Sequence, residues 1–232
     1  MAVFTFHFTT TRIGTTLSAL WRPPNRREVP GLNHAECMTR MKLGAPMLSP
    51  ARMQLRHLTM FAQWESHAAI DDFLALSRLG RALATGWHVR MEFQRRWGYV
   101  SEFDGLPESV GEQDPDAPVV AVTLARMKLA QVPRFIRWGR PVEELVRDHP
   151  ATTLAIAAMR LPRTVFTFSV WKSQREMVDM VRGHSLVPRP DRHAAAMAER
   201  QRKDFHFEFT TLRFKPIAEY GNWEGRTAIL PS

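Results

Sequence analysis

The chain has 232 residues, of which 44% are hydrophobic and 24% charged, a balance that excludes a disordered or a fibrous protein. Lys and Arg number 32 against 23 acids, a formal charge of +9, which admits acidic partners without choosing among nucleic acid, anionic lipid and a carboxylate-bearing ligand. A single cysteine, Cys37, excludes an internal disulfide and a thiolate zinc site and fits a reducing compartment. No uncharged apolar run approaches the ~18 residues of a membrane span. The opening MAVFTFHFTT lacks the basic start and apolar centre of a signal peptide, so the expected location is cytoplasmic. The basic clusters RPPNRR, RRW and RQRK are short and interleaved with acids, and read as solvated surface.

In chain order, Val3 to Thr9 reads as a strand, Trp21 to Pro30 as a loop insertion, and PGLNHAECMTRM from Pro30 as strand-bearing. Gly44 to Pro50 reads as a second loop. Arg56 to Leu74 then combines an apolar strand, Trp64, a charged residue, a serine and an amphipathic helix. Asp71 and Asp72 there read as acids that a helix N-terminal turn favours. The acidic, turn-rich stretch from Gly105 to Pro118 is the expected linker.

The second half is more regular. Val119 to Met127 is a strand. The helix predicted over Val132 to Arg147 carries Phe135, Trp138, Val142 and Leu145 on one face, and His149-Pro150 stops it. Strands are predicted at Thr152 to Arg160 and Thr164 to Lys172. Ser173 and Glu176 form a capping box that starts the next helix, and Phe205 to Phe214 alternates as the last strand.

The halves echo each other at offsets of about 110 residues: Val3 with Val119, Pro30 with Pro150, Trp64 with Trp171. Each half reads as β-α-β-β-α-β, the ferredoxin-like unit, whose sheet carries helices on one face only. Two such units covering each other's bare faces give an α+β fold. The expected division is 1–104 for the N-terminal half, 105–118 for the linker and 119–232 for the C-terminal half.

The runs VVAVTLARMKL, VPRFIRWGRPVEELVRDHP, TVFTFSVWKS and RHAAAMAERQRKDFHFEFTTLRFKP resemble the spheroidene monooxygenase-like proteins of the dimeric α/β-barrel superfamily. The resemblance covers roughly Pro118 to Gly225, with a weaker echo in the first half. It implies a barrel of two ferredoxin-like sheets. Members or relatives of that superfamily, among them oxygenases, peroxidases and dehydratases, hold haem between sheet and helices, so the fold leaves the reaction open.

A haem needs an axial ligand, most often a neutral imidazole, together with an apolar pocket and cations for its propionates. The resemblance places a histidine at His193, about a dozen residues before the last strand, opening the Ala-rich HAAAMAER. An exposed helix residue is the alternative reading of His193. The insertion SLVPRPDR between His184 and His193 makes His184 the second candidate ligand. Arg126 and Arg160, at the ends of apolar strands, are expected either to meet propionates or to form surface ion pairs. Met127, Met159, Met177, Met180 and Met197 either line a hydrophobic site or fill core, and the seven Trp and twelve Met suggest a roomy apolar interior. His34, His57, His67, His88, His149 and His206 show no partner pattern and read as surface or strand residues.

No phosphate loop, GxSxG elbow, HExxH or CxxC motif is present. The expected function is a haem-binding oxidoreductase of monooxygenase type acting on an apolar small molecule, served by an electron donor and forming a homodimer. The alternatives are a cofactor-free monooxygenase on the same barrel and a non-catalytic ligand-binding protein. Specific nucleic-acid binding comes last, because the aromatics fall in strands that need them for the core.

Overall fold

The computed structural model describes residues 3–43 and 53–231, so the loop expected at Gly44 to Pro50 lies outside the described residues. The first half supplies β1 (Val3–Thr10), α1 (Ile13–Trp21), β2 (Leu32–Met41), β3 (Met53–Trp64), α2 (His67–Leu76), α3 (Arg78–Ala84) and β4 (Trp87–Tyr99). The second supplies β5 (Val119–Met127), α4 (Val132–Asp148), β6 (Thr152–Arg160), β7 (Thr164–Trp171), α5 (Gln174–Arg182), α6 (Arg192–Arg202) and β8 (His206–Tyr220). The strand order is β4-β1-β3-β2 in one half and β8-β5-β7-β6 in the other, the ferredoxin-like order twice. The two sheets do not stack as separate layers. They join edge to edge, β2 on β6 and β4 on β8, into one closed antiparallel barrel that leaves no free edge.

The internal repeat is physical. Trp64 and Trp171 end β3 and β7, both fully buried. The indole N–H of Trp64 donates to Thr5 Oγ1 at 2.8 Å and that of Trp171 to Ser169 Oγ at 2.8 Å. Two residues after each Trp a serine caps a helix: Ser66 Oγ accepts from the Ala69 amide and Ser173 Oγ from the Glu176 amide, each at 3.2 Å. The last strand is longer than expected, running to Tyr220, because β4 pairs with it along its whole length.

Strand alternation sends even positions of β1 and β5 inward. Phenylalanine rings fill the interior, with Phe6 stacked on Phe168 at 4.1 Å and Phe4 tilted against Phe214 at 4.9 Å. Phe103, on the 3-10 turn Ser101–Phe103, joins this cluster beside β2, its ring 5.4 Å from that of His34. Trp223 and Ile229 of the C-terminal segment join it at the opposite end, where Trp223 stacks on Phe8 at 4.0 Å. Glu219 anchors that plug by accepting from Trp87 Nε1 at 2.9 Å and from the Ile229 amide at 3.0 Å. The roomy interior expected from composition is therefore corrected: the barrel lumen is packed with side chains, and Met177 and Met180 sit outside it, between α5 and the sheet. Residues 105–118 run along β4, with the Arg96 amide donating to Glu108 O and the Val110 amide to Gln94 O, both at 2.8 Å.

Candidate functional site

Inside the barrel, at the end where β2 begins and β5 and β6 finish, a polar cluster interrupts the rings. Glu36 is almost fully buried and pairs with both Arg126 and Arg160, the latter at 2.7 Å. Arg126 also reaches Glu102 at 2.8 Å and Thr164 Oγ1 at 2.9 Å. Burial alone would raise the Glu36 carboxyl. The hydrogen bond from His34 and the charges of Arg126 and Arg160 outweigh it and hold the group down at about 2. The ligand atoms of His34, Glu36 and Glu102 lie within 4.8 Å of one another, a spacing that suits a cation. Two guanidiniums already supply that positive charge.

The outer face of the second sheet is built differently. Across β8, β5, β7 and β6 its rows read Arg213-Ala121-Ser169-Ala155, then Thr211-Thr123-Thr167-Ala157, then Phe209-Ala125-Val165-Met159. Most of these side chains are small. At one end α5 and the end of α4 seal the face, with Met177, Met180 and Leu145 against Val119 and Trp171. The middle row stays open: Thr167 is exposed and Thr123 and Thr211 are half-buried. α6 packs on α4 and α5.

His193 opens α6 half-buried, its Nδ1 3.1 Å from the carbonyl of Val181 on α5. A carbonyl can only accept, so Nδ1 carries the proton and Nε2 the lone pair. Burial lowers the pKa and keeps the ring neutral. This is the tautomer and tether that a metal-bound imidazole uses. His184 lies exposed in the loop after α5, and no side-chain hydrogen bond holds its ring among the described residues. Arg126 and Arg160 do not join His193. They face the lumen, on the other side of the sheet wall, where Glu36 engages them.

Two groups that sequence reasoning missed lie on the outer side. Arg213 lies over the Trp97 ring at 4.2 Å, and Arg95 lies over the same ring at 4.5 Å. Burial, then the charges of Arg95 and Arg182, lowers Arg213 to about 10. Among the described residues none of these three arginines has an ion pair with an acid. His206, read as an ordinary strand residue, is buried beside Phe135 of α4, with ring centroids 5.6 Å apart. Its Nδ1 is 3.0 Å from Asp204 Oδ1, its buried Nε2 has no partner, and burial lowers it to about 4. The Asp-x-His spacing of Asp204 and His206 was the available signal.

Two ferredoxin-like sheets closed into one barrel, with helices outside, define an α+β barrel built as a pseudo-dimer within one chain. In sequence the chain is similar to two spheroidene monooxygenases. It is 29% identical over 173 residues to that of Rhodobacter capsulatus, covering 73% of this chain and 63% of the relative. It is 28% identical over 170 residues to that of Rubrivivax gelatinosus, covering 72% and 63%. The chain thus spans about two thirds or less of the length of the curated relatives it matches, 63% in each. No family model matches it. Among solved structures, an aldoxime dehydratase in complex with butyraldoxime superposes with a TM-score of 0.52 at 9% identity, over 96% of this chain and 83% of that one, a likeness of fold alone.

Proposed function

We propose that this protein is an oxidoreductase of monooxygenase type that binds haem on the outer face of its second sheet and acts on an apolar small molecule. The observation that carries the reading is the His193 tether, which leaves a neutral Nε2 lone pair on α6, the helix that packs on α4 and α5 outside the second sheet. The residues present fit the group. His193 would hold the iron, Ala and Thr side chains leave room for a flat ring system, and Arg213 with Arg182 would meet the acid groups. Arg126 and Arg160 are already engaged by Glu36, so they are replaced in that role. Bound haem would supply an iron centre for oxygen chemistry, with electrons from a donor. The protein's own share is to keep His193 neutral, to fix its ring through Val181, to hold Arg213 against Trp97 and to offer an apolar face to the substrate.

A second reading, a cofactor-free monooxygenase, is favoured by His206. Its Nε2 has no partner and Asp204 would steady an imidazolium there, but the atom is buried, so a substrate would reach it only by displacing the α4 cover beside Phe135. An absorption spectrum of the purified protein titrated with haem separates the two. Stoichiometric haem uptake with a sharp Soret band supports the first reading, and no uptake leaves the second.

A further inference from the structure

At the end of the barrel where β5 finishes and β8 starts, three large apolar side chains stand in solvent. Leu129 follows β5 and is 49% exposed, Leu161 tips the β6–β7 hairpin at 63%, and Phe207 is 60% exposed. They belong to one patch, since Met127 N donates to Arg163 O and Lys128 N to Phe205 O, bringing the three segments together. Phe207 is there by construction: Met127 pairs with His206 and Arg126 with Glu208, so Phe207 is the extra residue of a β-bulge that turns its ring off the sheet. Each apolar tip has a cation beside it. Arg163 lies 5.1 Å and Lys128 5.9 Å from the Phe207 ring, and exposed Lys203 follows α6. Of the neighbouring acids, Glu199 is held by Arg134 and Arg202 and Asp204 by His206 and Arg200, while Glu208 accepts from the Ser101 amide at 3.2 Å.

We propose that this patch docks the protein on the surface of an anionic phospholipid bilayer. Leu129, Leu161 and Phe207 would enter below the headgroups while Lys128 and Arg163 sit at the phosphates. Three separate apolar tips, on a 3-10 turn, a hairpin and a β-bulge, need a partner that deforms around each of them, which a fluid bilayer does and a rigid protein surface does not. The chain's +9 charge has the matching sign. This inference rests on the surface alone and stands apart from the haem reading.

The test is co-sedimentation of the full chain with vesicles of phosphatidylcholine alone or with one third phosphatidylglycerol, at low and high salt. The expected result is binding to the anionic vesicles only, weakened by salt. Lys128→Glu with Arg163→Glu should lower the partition at least ~10-fold. Phe207→Ser with Leu161→Ser should do the same without changing the circular dichroism spectrum. Trp21→Ser, which removes a 92% exposed side chain at the end of α1, should change nothing. Failure of the unmodified chain to bind anionic vesicles, or unchanged binding by the folded double variants, overturns the proposal, as does a Trp21→Ser loss equal to theirs.

Discussion

The outer faces of the two half-sheets share a topology and differ in how their helices meet them. In the first half Cys37, Met60, Ala62 and Trp64 are fully covered, and Ile70, Phe73 and Leu83 of α2 and α3 press directly on them. Even His7 and His88, opposed on β1 and β4 with rings stacked at 4.8 Å, are buried without a hydrogen bond to any ring nitrogen. In the second half Thr167, Thr123 and Thr211 stand where the first has Met60, His7 and His88, and the middle of the face stays in reach of solvent, while Ala157, Ser169 and Trp171 are buried like Cys37, Ala62 and Trp64. Large side chains seal a helix onto a sheet, whereas small ones hold a floor open only if the helices are supported elsewhere. Here α4 and α6 support each other, through Arg134 bound to Glu199 at 2.7 Å and to the Lys203 carbonyl at 2.9 Å.

The largest expected effect is at the tie between the halves. Glu36→Ala leaves Arg126 and Arg160 in the lumen with their shared partner gone, and should cost ~3–5 kcal/mol by urea unfolding. Next comes a direct contrast of the two faces. Ala62→Trp overfills a sealed interface and should cost ~1–3 kcal/mol. Thr167→Trp, on the open floor, should stay within ~0.5 kcal/mol while blocking haem uptake. Equal losses would erase the distinction.

The buried imidazoles give a pH signature. Burial lowers His7 and His88, the latter to about 4, and likewise His206. The unfolded chain takes up these protons near pH 6.5, whereas the folded one takes them up only well below it, near 4 at His88 and His206. Stability is therefore fully present above pH 6.5 and falls as the pH drops from there toward 4. Glu36, held at about 2, works in the opposite range, its contribution being lost only below its ordinary 4.5. Urea midpoints between pH 7.5 and 4.5 should decline, and His88→Gln should flatten the decline. The smallest effect tests the repeat itself: Ser66→Ala and Ser173→Ala should each cost ~1 kcal/mol in thermal unfolding, since each removes one helix cap.

Much of the fold was legible in the residues. Trp64 and Trp171, each followed by a capping serine, carry the repeat because the same strand-to-helix corner is built twice. Alternating aromatics marked β7 and β8, and Ser173 with Glu176 marked the start of α5. Closure into one barrel was expected from the resemblance and not from local pattern, because the β2–β6 and β4–β8 pairings join strands far apart in sequence. Of the proposed site, the residues offered one candidate. His193 stood out beside an Ala-rich helix. An arginine at a strand end, however, says nothing about which face it serves, and strand register turns Arg126 and Arg160 into the lumen and Arg213 outward. His206 was hidden because burial, and the Asp204 contact that orients it, come from the bulge at Phe207.

The central claim is that His193 holds haem on the open face. It is tested most directly by titrating haem into the unmodified protein, His193→Ala and His206→Ala and following the Soret band. The unmodified chain should bind one equivalent with an imidazole-ligated spectrum, and His206→Ala should keep that spectrum. His193→Ala, still folded, should lose the band or shift it, with added imidazole restoring it in part. An unaltered spectrum in His193→Ala, or no haem uptake by the unmodified protein, would contradict the account.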